Sequence, residues 1–354
     1  MDHSAFHEVV GNVHLHTMHS DGYGTHADVA AAARQAGLDF VIPTDHNVLA
    51  AGEDGWRDEV LMLVGEETND PDPPHGNHYL CFGIERDVAE CANDPQQVID
   101  AVNQQAGFGF IAHPCERPGP YAGESTYNWT RWDVSGYAGI SIWNYMSEFK
   151  SYLTNLPASL LAVFFPQWFI RGPFPETLAL YDRLLAQGKR VPLIGASDAH
   201  ANIYSAGPLK AQVFPYRQLF QTVNLHLLID GPLTRDAGKD RNLIYDAMRA
   251  GRAFVGYHVL GDPRGFSFVA RDGEGKVVAT CGQEVTMSDD LSLEVRSPCR
   301  ARLRLLRDGV VIEESHGNRL HARIDAAGVY RVEAHRRNRL QYRGWVFTNP
   351  IYVR

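Results

Sequence analysis

Strand-like runs alternate with helical ones through the first two thirds of this chain, and that alternation limits the fold more than any other feature. Phe40-Val41-Ile42, Val60–Val64, His78–Phe82, Phe108–Ala112, Gly139–Tyr145 and Val191–Gly195 read as short apolar strands. The helical runs carry their own end signals. Thr25-His26-Ala27-Asp28 has the form of a capping box, and the Ala-rich run behind it stops at Gly37. Pro95 suits the first turn of a helix reaching Gly107, Pro175–Gly188 is amphipathic, and a last helix over about 239–250 closes at Gly251. This βα order implies a parallel sheet, and in a chain of 354 residues a barrel suits it better than an open sheet. After the linker Gly261-Asp262-Pro263-Arg264-Gly265 the texture changes. Runs such as Leu291–Arg296, Ala301–Leu306 and Gly328–Ala334 alternate apolar with polar residues between Gly, Asp and Asn turns. That pattern predicts antiparallel sheet with one wet face. The expected architecture is an α/β barrel over 1–260 and a small antiparallel β-sandwich over 261–354.

The polar residues that matter fall where these strands end. Along a strand, residues i and i+2 share a face, so His14 and His16 point one way while Val13 and Leu15 point the other. A short turn brings Asp21 back toward them. Taken alone, a His-x-His is equally consistent with a solvated edge strand. The other strands add Thr44-Asp45-His46, Gly65-Glu66-Glu67, His78, His113-Pro114 and Ser197-Asp198-Ala199-His200. In βα barrels the strand C-termini converge on one mouth. Nine imidazoles and carboxylates (His14, His16, Asp21, His46, Glu67, His78, His113, Asp198, His200) clustered there would be costly to hold without cations. Their convergence predicts a metal centre.

Composition narrows the partners. The net charge of −9 divides into −13 over residues 1–258 and +4 over 259–354, and thirteen of sixteen histidines lie in the first part. An acidic, histidine-rich half repels polyanions, which disfavours nucleic acid. No Gly-rich phosphate or dinucleotide loop follows a strand, and no apolar run is long enough to span a membrane. Met1–Gly11 lacks the basic-then-apolar pattern of a signal peptide. Five cysteines without paired spacing suit reduced thiols in a cytoplasm.

The motifs His14-Leu15-His16-Thr17, Ser20-Asp21-Gly22, Thr44-Asp45-His46-Asn47, Gly65-Glu66-Glu67, His78, Ala112-His113-Pro114 and Ser197-Asp198-Ala199-His200, in that order, resemble the polymerase-and-histidinol-phosphatase (PHP) metallohydrolases. The Gly-Glu-Glu form and the C-terminal β-module look most like the carbaryl-hydrolase-type branch. The resemblance implies a distorted (β/α)7 TIM-like barrel binding two or three divalent ions. It would place His14, His16, Glu67 and Asp198 on a first ion. Glu67 would bridge to a second held by His78 and His113, and Asp21, His46 and His200 would hold a third. Asp198, His200 and Glu67 are the implied catalytic residues. Glu66, His19, His26 and Asp45 fall to the surroundings of the site. Where the family usually has Glu, this chain has Ser141, in Gly139-Ile140-Ser141-Ile142-Trp143-Asn144.

All nine ligands are N or O donors, suiting Zn²⁺, Mn²⁺ or Fe²⁺. The expected activity is hydrolysis of a small phosphorylated molecule by a metal-bridging hydroxide at a di- or trinuclear centre. Arg117 is the candidate phosphate clamp and Asn144 a second substrate-binding residue. Two alternatives stand beside this. One keeps the site but cleaves a carbamate, ester or amide, and the apolar run Leu160–Ile170 favours it as a substrate wall. The same run also suits core packing or the dimer patch of a homo-oligomer. The other is a non-catalytic metal-binding scaffold. The amidohydrolases share the opening His-x-His, but many bridge their metals with a modified lysine, and this chain has no lysine before Lys150. Cys115, beside His113, is expected to serve packing.

Overall fold

A computed structural model of the chain describes residues 6–354 apart from 73, 74, 122, 124, 207 and 208, with backbone alone for 203–206 and 209–211. Residues 1–5 of the N-terminal stretch read for a signal, and 73–74 of the loop expected over 68–77, lie outside the described residues. The fold is mixed α/β and rich in sheet. It groups into two compact units: one runs from Val10 to Thr177 and from Gly195 to Asn224, and the other takes residues up to Val9, Leu178–Ile194 and Leu225–Arg354. The boundary expected at 260/261 falls inside the second grouping.

The first unit contains the predicted strands, shorter than their apolar runs. In chain order these are β1 (Phe6–Asn12, from Val10 on), α1 (His26–Ala36), β2 (Phe40–Val41), β3 (Thr44–His46), β4 (Gly55–Arg57), β5 (Val60–Met62), β6 (Gly65–Thr68) and β7 (Tyr79–Phe82). Then come α2 (Pro95–Gln104), β8 (Phe108–Ile111), β9 (Gly139–Asn144), α3 (Tyr145–Lys150) and α4 (Leu156–Phe164). Helix α5 (Pro175–Ala186) and strand β10 (Leu193–Ala196) follow, with Leu178–Ile194 of them counted in the other unit. The end signals act as read: Thr25 and Asp28 form a reciprocal capping box, and Gly37 closes α1 at φ 74°.

Two sets of strands form this unit. β1, β2 and β5 run parallel, with Gly11 opposite Phe40 and Phe40 opposite Leu61, and β4 adds an antiparallel hairpin arm to β5. In the second set β3 pairs parallel with β6 and β8 parallel with β9, but β7 runs antiparallel to both β6 and β8. The purely parallel sheet expected from the βα order is thereby corrected. Among the described residues no helix lies between β6 and β7, and this connection returns the chain antiparallel. The strands are buried on both sides, as their unbroken apolar runs require.

The hairpin β11 (Ile203–Ala206) and β12 (Leu209–Gln212) and the short helix α6 (Tyr216–Leu219) complete the unit. In the second unit, β13 (Val223–Asp230), α7 (Ala237–Ala250) and β14 (Ala253–Tyr257) precede strands β15 (Ser267–Arg271), β16 (Val277–Thr280) and β17 (Glu284–Val285). Beyond these, β18 (Ser292–Arg307), β19 (Val310–Arg323), β20 (Gly328–Asn338), β21 (Gln341–Thr348) and β22 (Ile351–Val353) pair mainly antiparallel. The two runs read separately as 291–296 and 301–306 are one strand, β18, whose register shifts between Arg296 and Ala301. Buried Leu293, Val295, Leu303 and Leu305 supply its core face. Among the described residues no helix is long and apolar enough to cross a membrane, and none of the five cysteines is in a disulfide.

Candidate metal centre

All nine residues singled out at the strand ends lie in the first unit, and the structure brings them together. Beyond β1 the chain stays extended, so Val13 and Leu15 are fully buried on one side while His14 and His16 are buried on the other. The segment is held by backbone bonds from Asp198 N–H to the His14 carbonyl (3.0 Å) and from His16 N–H to the Ala199 carbonyl (2.8 Å). Those two bonds carry Asp198 and His200 to the histidine pair.

Glu67 lies at the centre. Its Oε2 is 2.9 Å from His14 Nε2, 3.1 Å from His16 Nε2 and 3.5 Å from His46 Nδ1. Its Oε1 is 2.8 Å from His78 Nδ1 and 3.2 Å from His113 Nε2. Asp198 Oδ1 approaches the same histidines, at 3.3 Å from His14 Nε2 and 3.1 Å from His16 Nε2. At the rim Asp21, whose side chain is 56% exposed, has Oδ2 3.3 Å from His200 Nε2 and Oδ1 3.6 Å from His16 Nδ1. Three sets of donor atoms each fall within 4.8 Å of one another: His14, His16, Glu67 and Asp198; His16, Asp21, His46 and His200; and His46, Glu67 and His78. The grouping differs in detail from the implied one. His16 belongs to two sets, and His46 stands beside Glu67 and His78 as well as beside Asp21.

Two histidines show what these sets can hold. His78 Nε2 lies 2.8 Å from the His75 carbonyl and His200 Nδ1 lies 3.0 Å from the Asp198 carbonyl. A carbonyl only accepts, so those nitrogens carry the ring protons. The remaining lone pairs, on His78 Nδ1 and His200 Nε2, face the carboxylates of Glu67 and Asp21. Lone pair against carboxylate is repulsive unless a cation lies between or the ring takes a second proton. Commitment of the outer ring nitrogen to a carbonyl is the usual support of a metal-ligating imidazole. Moreover, His16 Nδ1 and Nε2, His46 Nδ1 and Asp198 Oδ1 are buried without a hydrogen-bond partner despite their short separations. The atoms converge on shared points rather than on each other. The donor set therefore fits divalent cations.

The electrostatics are those of imidazoles and carboxylates packed together, and His200 too is raised by Asp21 and Asp198 against its burial. Burial alone would raise Glu67, but the surrounding histidines, His14 first, hold its carboxyl well below the usual range. Asp198 is lowered likewise against its own burial, chiefly by His14 and His16. His16 moves up despite burial because Asp198 and Glu67 favour its charged form. Burial, only partly opposed by Glu67, takes His46 down to about 4, which keeps it a neutral donor.

Several supports were not foreseen. Asp45, placed by sequence in the surroundings or at the surface, is buried and accepts from Thr17 N–H, Thr17 Oγ1 and Ser20 Oγ, each at 2.7 Å. It thus pins the turn that presents Asp21. Gly22 closes that turn where any Cβ would come within 2.2 Å of the His16 carbonyl oxygen. Asn144 caps α3 through its Oδ1 and donates from Nδ2 to Asp198 Oδ2 at 2.9 Å, so it orients Asp198. Glu66 alternates to the far face of β6, where it accepts from Val88 N–H and Thr68, and burial raises it to about 7. Ser141 is buried within β9.

A cavity of about 560 Å³ opens beside the histidines. Phe149, Leu153, Val163 and Phe214 line it together with Lys150 and Glu116. The apolar run expected over 160–170 forms the end of α4 and a single 3-10 turn, Pro166–Trp168. Ser159 and Val163 face the cavity and Leu160, Leu161 and Phe164 are exposed, while Ala162 and Ile170 are buried in the core. Arg117 does not appear among the lining residues. Its guanidinium is bidentate on Glu176 (2.8 and 2.9 Å) and lies over the Phe174 ring.

No protein-family model matches the chain, and no curated protein matches its sequence. Solved structures similar to it include the following two. One is a two-domain protein containing a predicted PHP-like metal-dependent phosphoesterase from Bacteroides vulgatus, 13% identical, covering 98% of this chain and 96% of that one with a TM-score of 0.48. The other is an inferred metal-dependent phosphoesterase from Bifidobacterium adolescentis, 16% identical, covering 54% and 87% with a TM-score of 0.36.

Proposed function

We propose that this chain is a metal-dependent hydrolase of the PHP type, a phosphoesterase acting on a small phosphorylated molecule, with its catalytic part a distorted (β/α)7 barrel over 1–260. The observation that carries the reading is the pair of imidazoles, His78 and His200, whose ring protons are spent on backbone carbonyls while their free nitrogens face carboxylates. His14, His16, Glu67 and Asp198 would hold one Zn²⁺, Mn²⁺ or Fe²⁺ ion. His78 and His113 would hold a second with Glu67, and Asp21, His46 and His200 a third. Bound there, such cations would lower the pKa of a ligated water from 15.7 toward about 7 and offset negative charge developing on the substrate.

The chain's own residues set the geometry for that chemistry. Glu67 turns one oxygen to His14 and His16 and the other to His78 and His113, so one carboxylate fixes the spacing of two subsites. Asn144 keeps Asp198 Oδ1 toward the histidines by occupying Oδ2. Asp21 is exposed at the mouth, where a substrate enters. Five cysteines outside any disulfide fit a reducing, cytoplasmic setting.

The apolar lining by Phe149, Leu153, Val163 and Phe214 favours a second reading, hydrolysis of a carbamate, ester or amide with the same residues. Mn²⁺- or Zn²⁺-loaded protein assayed on p-nitrophenyl phosphate, bis-p-nitrophenyl phosphate and naphthyl carbamates separates the two. Phosphate-ester turnover that disappears in His14→Ala and Glu67→Ala is expected. Turnover of carbamates alone would reverse the order, and silence on every substrate would refute a hydrolase.

A further inference from the structure

We infer that Lys150 is a substrate-binding residue that receives an anionic oxygen of the substrate, phosphoryl or carboxylate, inside the cavity beside the metal centre. Lys150 is the last residue of α3, which follows β9 directly, and it lines the cavity with only 9% of its surface exposed. A buried ammonium has three N–H donors to satisfy. One goes to Glu116 Oε2 at 2.7 Å, and the group lies 4.7 Å from the centroid of the Tyr127 ring. A donor remains for the cavity.

Glu116 is already shared among other donors. Its carboxylate already accepts from Ser147 Oγ on one oxygen and from Tyr127 N–H (2.8 Å) on the other, and its own N–H donates to Asn128 Oδ1. The carboxylate is a fixed counter-ion that holds the lysine in place, the role Glu176 plays for Arg117 on the exposed side. The apolar neighbours Phe149, Leu153, Val163 and Phe214 offer no acceptor, and an unmet buried donor is expensive. The acceptor that suits a desolvated ammonium is an anion. The inference rests on the metal-centre reading in one respect: without cations, Glu67 and Asp198 in the same site would repel that anion.

Binding, rather than turnover, tests this. Zn²⁺-loaded wild type, Lys150→Arg, Lys150→Met and the double variant Lys150→Met/Glu116→Gln are titrated calorimetrically with inorganic phosphate and with benzoate. Metal content and melting temperature are measured on each. The double variant removes both charges together, so it decides the matter if Lys150→Met fails to fold or loses metal. Affinity for at least one anion is expected to fall about ten- to a hundredfold in the Met variants, with metal content unchanged and partial recovery in Lys150→Arg. A loss on phosphate assigns the lysine to the phosphoryl group, and a loss on benzoate alone assigns it to a second acidic group of the substrate. Equal affinities in wild type and the metal-replete double variant, or no binding of either anion by wild type, would overturn the inference. If wild type cleaves no ester but its anion binding still depends on Lys150, the hydrolase reading fails and this one stands.

Discussion

Asp45 gives the sharpest test of how the site is supported, because it touches none of the nine converging side chains. Its carboxylate accepts three hydrogen bonds of 2.7 Å, from the backbone and hydroxyl of Thr17 and from Ser20, and both Asp45 and Thr17 are fully buried. Hydrogen bonds to a charged group contribute about 1.5–3 kcal/mol each, and a buried donor left unmet costs about 1–3 kcal/mol. Those contributions overlap, so Asp45→Ala is expected to cost about 3–5 kcal/mol in urea unfolding of the metal-free protein. Asp45→Asn keeps one acceptor oxygen and should lose about half of that. The turn released carries Asp21, and His46 is the next residue in the chain. Competition with a fluorescent chelator should therefore show the weakest-held equivalent of Zn²⁺ bound about tenfold less tightly, with the equivalents near Glu67 spared. A loss of stability below about 1 kcal/mol, or a uniform loss of all metal, would refute the argument that Asp45 acts by pinning this turn.

Asn144→Ala removes the α3 cap and the bond to Asp198; a loss of about 1–2 kcal/mol by chemical denaturation and a lowered metal affinity are expected, and a variant with wild-type metal affinity would sever Asn144 from Asp198's role. Arg331 is buried and bidentate on Asp182 (2.8 and 2.8 Å) with a third bond to Glu333. Arg331→Met should cost about 3–5 kcal/mol, read as a lower urea midpoint, because Asp182 loses its bidentate partner and Glu333 keeps only Arg304. Burial, helped by His226 and Arg264, takes His258 down to about 3, against an unfolded value near 6.5. A depressed folded pKa contributes stability that is present above pH 6.5 and lost as pH falls toward 3. His258→Gln should therefore match wild type at pH 7.5 apart from a constant offset and gain about 2 kcal/mol on it by pH 4.5, and a pH-independent difference would contradict that linkage.

The site was legible because side-chain alternation on a strand is fixed by geometry. Once His14 and His16 were on extended backbone they had to share a face, and Glu67 and Glu66 had to part. Strand ends marked by His46, His113 and Asp198 needed only the assumption that they meet at one place. What sequence missed depends on contacts distant in the chain. Nothing local distinguishes Asp45 from a solvated turn residue, yet its three donors come from 25 to 28 positions upstream. Arg117 has the better chemistry for phosphate on paper, but Glu176, 59 residues on, claims its fork, while Lys150 is brought into the cavity by α3. The reversal at β7 was hidden for a related reason. Strands of four residues carry no direction in their pattern. In the second unit the long strands were divided at Ser297–Arg300, because a bulge and a turn look alike in sequence.

The central claim is that cations draw these nine side chains together. Elemental analysis by plasma mass spectrometry of protein purified without chelators measures it directly. Two or more equivalents of Zn, Mn or Fe per chain are predicted, falling by at least one equivalent in Glu67→Ala and in His14→Ala while the fold persists by circular dichroism. Wild-type protein holding well under one equivalent, even after incubation with each metal and desalting, would contradict the account.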